Sequence, residues 1–337
     1  MNNRPPFDFA FIPAGPVQET VELVKLGERL GYRGAWLPDQ TYHRDPCVLL
    51  GLCAQATQEI RVGVGITSPF TRLPVQIARA AALIDEISGG RFCLGLGTAN
   101  PDTVLRPLGL EPTSPYRRLR DAITIIQQLV AGSRVTFDGK FDHVHGVQLD
   151  FVPIRPHLPI YIGTRGPKLL ELTGEVADGV LSESLFSGEG MDYVRQHIYA
   201  GTVRSQRAIG DIDIVSWQLV RVTTNLQAAV DEQRVWAARS IKLGPRDIMV
   251  RLGLEEAVVD GVTDAANRGD WKTAVNCVTD DSVNRLMLIG DPPHITERIS
   301  EIFKKGANSV ALLLLGHVDE VRNTLIRFAR DVMPKFG

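Results

Sequence analysis

The sequence has no excess of either charge, no long apolar run and no paired cysteines. Its 37 lysine and arginine residues are balanced by 39 aspartate and glutamate residues, so nothing favours a nucleic acid or an anionic membrane as partner. The longest apolar run, Val310–Leu315, is too short to cross a bilayer. The four cysteines form no CxxC pair, which is typical of thiols in a reducing compartment. Because the first residues carry no secretion signal, we expect a cytoplasmic protein.

Several sequence motifs for metal binding, nucleophilic catalysis and nucleotide binding are also missing. There is no HExxH or Cys/His spacing typical of zinc, no GxSxG elbow and no Walker loop. His143 and His145 alternate, so they face one side of an extended segment, but no third ligand stands beside them in the sequence. The sequence therefore predicts no metal site and no nucleophile. This pattern fits an enzyme whose chemistry is done by a bound organic cofactor.

Short apolar runs alternate with longer amphipathic stretches along the 337 residues, which is the pattern of repeated strand–helix units. Eight strands are predicted, at Phe7–Pro13, Gly34–Pro38, Ile60–Ile66, Arg91–Gly97, Ile160–Thr164, Gly179–Ser182, Ile212–Thr224 and Val310–Leu315. Eight helices are predicted, at Val17–Leu30, Cys47–Ala56, Pro74–Ile87, Arg117–Val130, Pro167–Val176, Tyr193–Ile209, Asp291–Lys305 and Val318–Val332. Strands that are apolar on both sides belong to parallel sheets covered by helices.

These elements predict one α/β domain over residues 1–337, a (β/α)8 TIM barrel. An open doubly wound sheet is the structural alternative, but the first strand–helix turn, Pro13–Pro16, lacks the GxGxxG pattern. Val135–Ile154 mixes glycine, aspartate and β-branched residues and is predicted to be a hairpin excursion after the fourth helix. Leu226–Met287 has a mostly helical composition and forms a long helical segment before the last strand.

Ligands of such barrels bind at the carboxyl ends of the strands, which directs the search to the loops that follow them. The loop after the fifth strand consists of Gly163, Thr164, Arg165, Gly166, Pro167 and Lys168. Its small residues permit close approach of the backbone to a ligand, and its proline begins a helix. Exposed N–H groups at that helix start, with two basic side chains nearby, suit a phosphate. A plain helix start with solvated basic residues is the alternative.

Five further positions, in the third strand and at the strand ends, carry less specific signals. Glycines 63 and 65 inside the third strand indicate either a bulge that receives a planar ligand or interior positions that need little volume. Asp39 either orients a ligand or caps the following segment. Glu183 is a candidate acid, with a solvated loop residue as the alternative. His317 is a candidate proton donor, although a lone histidine there is more often a helix-start partner.

Two stretches of the sequence resemble a known family. The run Thr71–Arg91 (TRLPVQIARAAALIDEISGGR), followed by Leu94–Gly97 (LGLG), resembles the hallmark of luciferase-like monooxygenases and their deazaflavin-dependent relatives. Pro159–Leu172 (PIYIGTRGPKLLEL) and Glu175–Val180 (EVADGV) are similar to methylenetetrahydromethanopterin reductases. The likeness spans most of residues 7–184 and weakens beyond residue 190.

The resemblance implies a (β/α)8 barrel, frequently a homodimer, that holds either FMN or the deazaflavin coenzyme F420. It implies a non-prolyl cis peptide at Gly65–Ile66 behind the ring system, and a phosphate on the loop Gly163–Lys168. It also makes Asp39 an acidic position near the ring. With Glu183, which the strand-end argument already singles out, Asp39 is a candidate catalytic residue. The other cofactor contacts implied outside the phosphate loop are Thr67, Gly97, Thr98 and Ala99.

One departure from the family pattern bears on the substrate. Reductases that act on pterins can carry a glutamate at the end of the first strand, where this chain has Phe11, Ile12 and Pro13. Either Glu183 or another group handles the proton, or the substrate is not a methylene-pterin. The leading hypothesis is hydride transfer between F420 and a small organic substrate, for which a pterin type is one candidate. The alternatives are an FMN-dependent monooxygenase and a non-catalytic flavin-binding protein.

Overall fold

The computed structural model describes residues 5–40, 42–183 and 188–337, and its central feature is a ring of eight parallel strands. In ring order they are β1 (Phe7–Phe11), β2 (Gly34–Leu37), β3 (Arg61–Thr67), β4 (Phe92–Leu96), β7 (Ile160–Gly163), β8 (Gly179–Glu183), β9 (Asp213–Val222) and β11 (Ser309–Leu314). The pairings of β11 with β1 and of β8 with β9 close the ring. The predicted (β/α)8 barrel is confirmed, and each of its strands lies within a few residues of its predicted place.

Three further strands lie outside the ring. The predicted hairpin is confirmed by β5 (Val135–Asp138) and β6 (His143–Val147), which pair antiparallel. A short strand, β10 (Leu288–Gly290), pairs in parallel with the last residues of β9. The sequence does not predict β10, because three residues are too few to show an alternating pattern.

Helices follow most of the barrel strands and cover the outside of the ring. They are α1 (Val17–Arg29), α2 (Pro46–Ala56), α3 (Pro74–Ser88), α4 (Pro115–Val130), α5 (Pro167–Val176), α6 (Gly188–Ser205), α7 (Leu226–Leu243), α8 (Arg246–Arg251), α9 (Glu256–Asn267), α10 (Trp271–Asn276), α11 (Asp280–Leu286), α12 (Pro292–Lys304) and α13 (Val318–Asp331). The long segment predicted to be helical thus contains α7 to α11. No helix within the described part of the chain is long and apolar enough to span a membrane.

Helix ends follow the local signals in the sequence where those signals are strong. The last residue of α3 is Ser88, and Gly89 takes a left-handed φ of 66° that favours glycine. α12 begins after Asp291, whose side chain accepts a hydrogen bond of 3.0 Å from the backbone N–H of His294. The predicted bounds of α6 are wrong at both ends, since it runs from Gly188 to Ser205. Glycines in its first turn, which have low helix propensity, hide its start.

Aromatic side chains fill the middle of the barrel. The ring of Trp36 lies 5.3 Å from that of Tyr161 and 6.4 Å from that of Trp217, measured between centroids. A Cβ atom added at Gly63 would lie 2.5 Å from Cε3 of Trp36, and one added at Gly65 would lie 2.8 Å from Cη2 of Trp217. Both glycines therefore make room for a tryptophan inside the barrel.

A buried ionic network closes the amino end of the barrel. The guanidinium of Arg33 donates from Nε and Nη2 to the two carboxylate oxygens of Asp8, at 2.8 Å and 2.7 Å. It also donates to Ser309 at 2.6 Å and to Asp213 at 3.3 Å, and Nε1 of Trp36 donates to Asp8 at 3.0 Å. Burial raises the pKa of Asp8, but the charge and hydrogen bonds of Arg33 outweigh burial and hold that pKa below its usual value. Because this network closes the amino end of the barrel, the carboxyl ends of the strands form its open face.

Candidate functional site

A bulge at the end of β3 brings three strand ends together at the barrel mouth. The pairing of β3 with β4 shifts register between Val64 and Thr67, and the Gly65–Ile66 peptide is cis, where the resemblance places it. The backbone N–H of Asp39 donates to the carbonyl of Ile66 at 3.3 Å, and the N–H of Gly97 donates to the carbonyl of Thr67 at 2.9 Å. The structure therefore places predicted residues from β3 and from the loops after β2 and β4 side by side.

The side chain of Ile66 lies between two glycines that the sequence also singles out. A Cβ atom added at Gly163 would lie 2.7 Å from Cγ2 of Ile66, and one added at Gly97 would overlap Cδ1 of the same side chain. These glycines thus make room for the side chain of Ile66. Ile66 is half-buried and packs against the apolar interior of the barrel. It forms an apolar floor at the mouth.

Asp39 lies at the edge of this floor, where two side chains donate hydrogen bonds to its carboxylate. Its Oδ2 accepts a hydrogen bond of 2.6 Å from the hydroxyl of Thr67 and one of 2.8 Å from Nε of Arg72. The expectation that Asp39 caps the next helix is wrong, because the carboxylate that caps α2 belongs to Asp45, which accepts from the backbone N–H of Cys47 at 2.8 Å. The sequence places Arg72 in the family motif but gives it no role, since its partners come from a different loop.

The loop after β7 forms the start of α5, as predicted. Gly166 is the N-cap of α5, and this end of the helix has no side-chain cap. The hydroxyl of Thr164 accepts a hydrogen bond of 3.0 Å from the N–H of Gly166. Pro167 and Lys168 are exposed, whereas Arg165 donates to the backbone carbonyl of Ser240 at 3.2 Å. The two basic residues therefore differ, since Arg165 ties the loop to α7 and Lys168 faces solvent.

Glu183 ends β8 and is half-buried beside the same helix. Its Oε1 accepts a hydrogen bond of 3.4 Å from the hydroxyl of Ser240. Ser240 is thus contacted by both the β7 loop and the end of β8, and α7 lies along this side of the mouth. Ser240 carries no recognisable signal in the sequence, because it lies in the helical segment where the resemblance has faded.

The remaining predicted positions occupy the loop after β4 and the end of β11. Thr98 and Ala99 are half-buried, and Ala99 takes a left-handed φ of 58°. Asn100 caps the next short helical turn by accepting from the N–H of Asp102 at 2.9 Å. His317 is the residue before α13, and its backbone N–H donates to the carboxylate of Glu320 at 3.1 Å. This contact agrees with the helix-start interpretation of His317.

A closed ring of eight strand–helix units with its polar loops gathered at the strand ends defines a TIM-barrel protein, the class of fold in which ligands bind at the mouth. The chain belongs to the luciferase-like monooxygenase family, whose model matches residues 7–309. It is similar to the 5,10-methylenetetrahydromethanopterin reductase of Archaeoglobus fulgidus, with 32% identity over 90% of this chain and 92% of the relative. The family resemblance predicted from the sequence is confirmed.

Two further proteins match this chain along nearly their whole length. The F420-dependent glucose-6-phosphate dehydrogenase of Nakamurella multipartita is 26% identical over 98% of this chain and 97% of the relative. The solved structure of the coenzyme F420-dependent tetrahydromethanopterin reductase from Methanopyrus kandleri matches with a TM-score of 0.88 at 24% identity, covering 99% of this chain and 100% of that one. This last likeness shows that the two chains share the whole fold.

Proposed function

We propose that this protein is an oxidoreductase that transfers a hydride between coenzyme F420 and a small organic substrate. Two relatives carry dependence on F420 in their names, and a third is a reductase named for a pterin. The structural observation that carries the proposal is the floor formed by Ile66 between Gly97 and Gly163, with the Asp39 carboxylate at its edge. When bound, the deazaflavin accepts or delivers the hydride, and the protein binds and orients it.

The residues at the mouth fit a planar ring that carries an anionic tail. Ile66 and the bulge that carries it would support the ring, and Asp39 with Thr67 would meet its polar edge. Thr98 and Ala99 would line the turn beside it. The start of α5 lacks a side-chain cap, so its N–H groups suit a phosphate. The residues proposed to hold that phosphate are Gly163, Thr164, Arg165, Gly166, Pro167 and Lys168.

Glu183 is the group that we propose moves a proton at the substrate. It is a carboxyl on the open face of the barrel, held by the hydroxyl of Ser240, and the first strand ends without a glutamate. A pterin-type substrate is supported by the reductase at 32% identity. The glucose-6-phosphate relative, which is nearly as complete in coverage, supports a different small molecule, so we propose the broader class of small organic substrates.

The substitution Glu183→Gln tests the role of this carboxyl. Glutamine has nearly the same size and can still accept from Ser240, but it cannot hold and release a proton. We expect kcat to fall about a hundredfold, while the dissociation constant for F420 stays unchanged. Steady-state turnover and fluorescence titration of the same preparation measure both quantities. An unchanged kcat would mean that a group other than Glu183 transfers the proton.

An FMN-dependent monooxygenase is the second candidate function. The family model that matches the chain bears the name of monooxygenases, and the same floor and phosphate loop would accept the flavin ring and tail. The two candidates differ in the cofactor that they bind. They also differ in oxygen, which only the monooxygenase must admit to its reduced cofactor.

We also propose that the protein is a cytoplasmic homodimer. The four cysteines are free thiols, which supports a reducing compartment.

A dimer is supported by an apolar patch that we call the α2–α3 patch, made of Val48, Leu52, Leu83 and Ile87. These side chains are 39–66% exposed, and apolar groups clustered on a surface are typical of association sites.

A further inference from the structure

Arg72, in the loop after β3, connects two carboxylates of the loop between β2 and α2. Its Nε donates to Oδ2 of Asp39 at 2.8 Å, and its Nη2 donates to Oδ2 of Asp45 at 2.8 Å. Asp45 is itself fixed, because its other oxygen, Oδ1, caps α2 through the N–H of Cys47. A guanidinium is planar and rigid, so its place on Asp45 determines where it meets Asp39. The start of α2 thereby sets the orientation of a side chain at the end of β2.

These contacts occupy one oxygen of Asp39 and leave the other available. The hydroxyl of Thr67 donates to the same Oδ2, at 2.6 Å. Within the described part of the chain, no group donates to Oδ1 of Asp39. The side chain of Asp39 is 8% exposed, and its backbone bonds directly to Ile66 on the bulge. Oδ1 is therefore an acceptor held beside the apolar floor.

We propose that Arg72 is a positioning residue that holds the Asp39 carboxylate so that Oδ1 accepts a hydrogen bond from an N–H or O–H group of the bound cofactor ring. The inference rests on the proposed function in assigning F420 to the floor at Ile66. An ionised carboxylate is an acceptor without a donor of its own. The pair Arg72–Asp39 thus selects a ring whose edge presents a donor at this point.

A double-mutant cycle separates positioning from a merely structural role. Asp39→Asn, Arg72→Met and the double variant are titrated with F420 by fluorescence quenching, and thermal unfolding is followed in parallel. Each single substitution is expected to weaken F420 binding about tenfold to thirtyfold, the scale of one hydrogen bond to a charged group. Because Arg72 acts through Asp39, the double variant is expected to bind no more weakly than the poorer single variant. Arg72→Lys, which keeps the charge but not the fork, is expected to fall between wild type and Arg72→Met.

Arg44→Met is the matched control, since Arg44 lies in the same mouth region but donates to the carbonyl of Ala14; its F420 affinity is expected to equal that of wild type. Losses that multiply in the double variant, or full affinity in either single variant, would overturn the inference while leaving the proposed function intact. If Arg72→Met does not fold, the cycle is run with Arg72→Lys. A wild-type protein that does not bind F420 would overturn both proposals together.

Discussion

Asp8 is the residue on which the closed end of the barrel depends. It is fully buried and accepts hydrogen bonds from Arg33 and Trp36. Burial alone would raise the pKa of Asp8, and the Arg33 guanidinium reverses that effect and lowers it. A carboxyl whose pKa is lower in the folded state stabilises the fold above its unfolded value of about 3.9. That stabilisation is lost as the pH falls through the lower, folded value.

The substitution Asp8→Asn is expected to lower the free energy of unfolding by about 3 kcal/mol at pH 7, because it leaves the half-buried Arg33 with one carboxylate fewer. The gap between variant and wild type is expected to narrow below pH ~4, where the Asp8 carboxyl is protonated in the unfolded chain but still ionised in the folded one. Urea unfolding at pH 7 and pH 3 measures both differences. Asp319→Asn, at an exposed position, is the control. A gap that does not change with pH would contradict the assignment of Asp8 as the titrating group.

At this scale the sequence locates residues but not their partners. Small residues at positions 63, 65 and 163 can be found by inspection, yet the tryptophans and the isoleucine that fill the space beside them come from other positions. The same holds for Asp39, whose partner Arg72 stands 33 residues away. Pairing of this kind depends on strand register, which a single sequence does not specify.

The start of α5 is the element that we propose anchors the cofactor tail. It has an uncapped N-terminus, Lys168 is exposed beside it, and Arg165 is held by the carbonyl of Ser240. A phosphate there would meet backbone N–H groups and the exposed ammonium group of Lys168. The contribution of Lys168 should therefore appear in binding and not in folding.

The substitution Lys168→Ala is expected to weaken F420 binding by about 2 kcal/mol, the scale of a charge-assisted hydrogen bond, with no change in the unfolding midpoint. Arg165→Ala should also lower stability, because it breaks the contact with α7. Fluorescence titration and thermal unfolding measure the two effects, with the exposed Lys272→Ala as control. Unchanged affinity in both the Lys168 and the Arg165 variant would show that the tail binds elsewhere.

Among the elements, those with local signals could be predicted and those without could not. α3 and α12 carry a left-handed glycine and a capping aspartate, and their ends are confirmed within one or two residues. The segment that holds α7 could be predicted only in composition, so the contact of Ser240 with Glu183 could not be foreseen. That contact depends on how α7 packs along the side of the mouth.

At the scale of the whole molecule, the eight predicted strands suffice to give the closed barrel, because each strand needs two neighbours. We propose that residues 1–337 form one domain, since the hairpin and the segment of α7 to α11 both leave the barrel and return to it. The α2–α3 patch exposes apolar side chains that the packing of the barrel does not require. Its side chains face away from the core.

The paired substitution Leu83→Glu with Ile87→Glu is expected to convert a dimer into a monomer, because charges would then be buried in the association surface. Light scattering coupled to size-exclusion chromatography measures the mass of each species. Tyr199→Glu with Val203→Glu is the control, as these residues form an exposed pair on α6. A wild-type protein that elutes as a monomer, or a control pair that dissociates equally, would contradict the assignment of this patch.

The central claim is that the floor at the Gly65–Ile66 bulge and the start of α5 together bind F420. The most direct measurement is a titration of the purified protein with F420 and, separately, with FMN, followed by quenching of the tryptophan fluorescence. Trp36 and Trp217 lie directly below the bulge, so a ring bound on the floor should quench them. The account predicts saturable quenching by F420 at concentrations well below those that FMN requires. Tight binding of FMN with no response to F420 would contradict it.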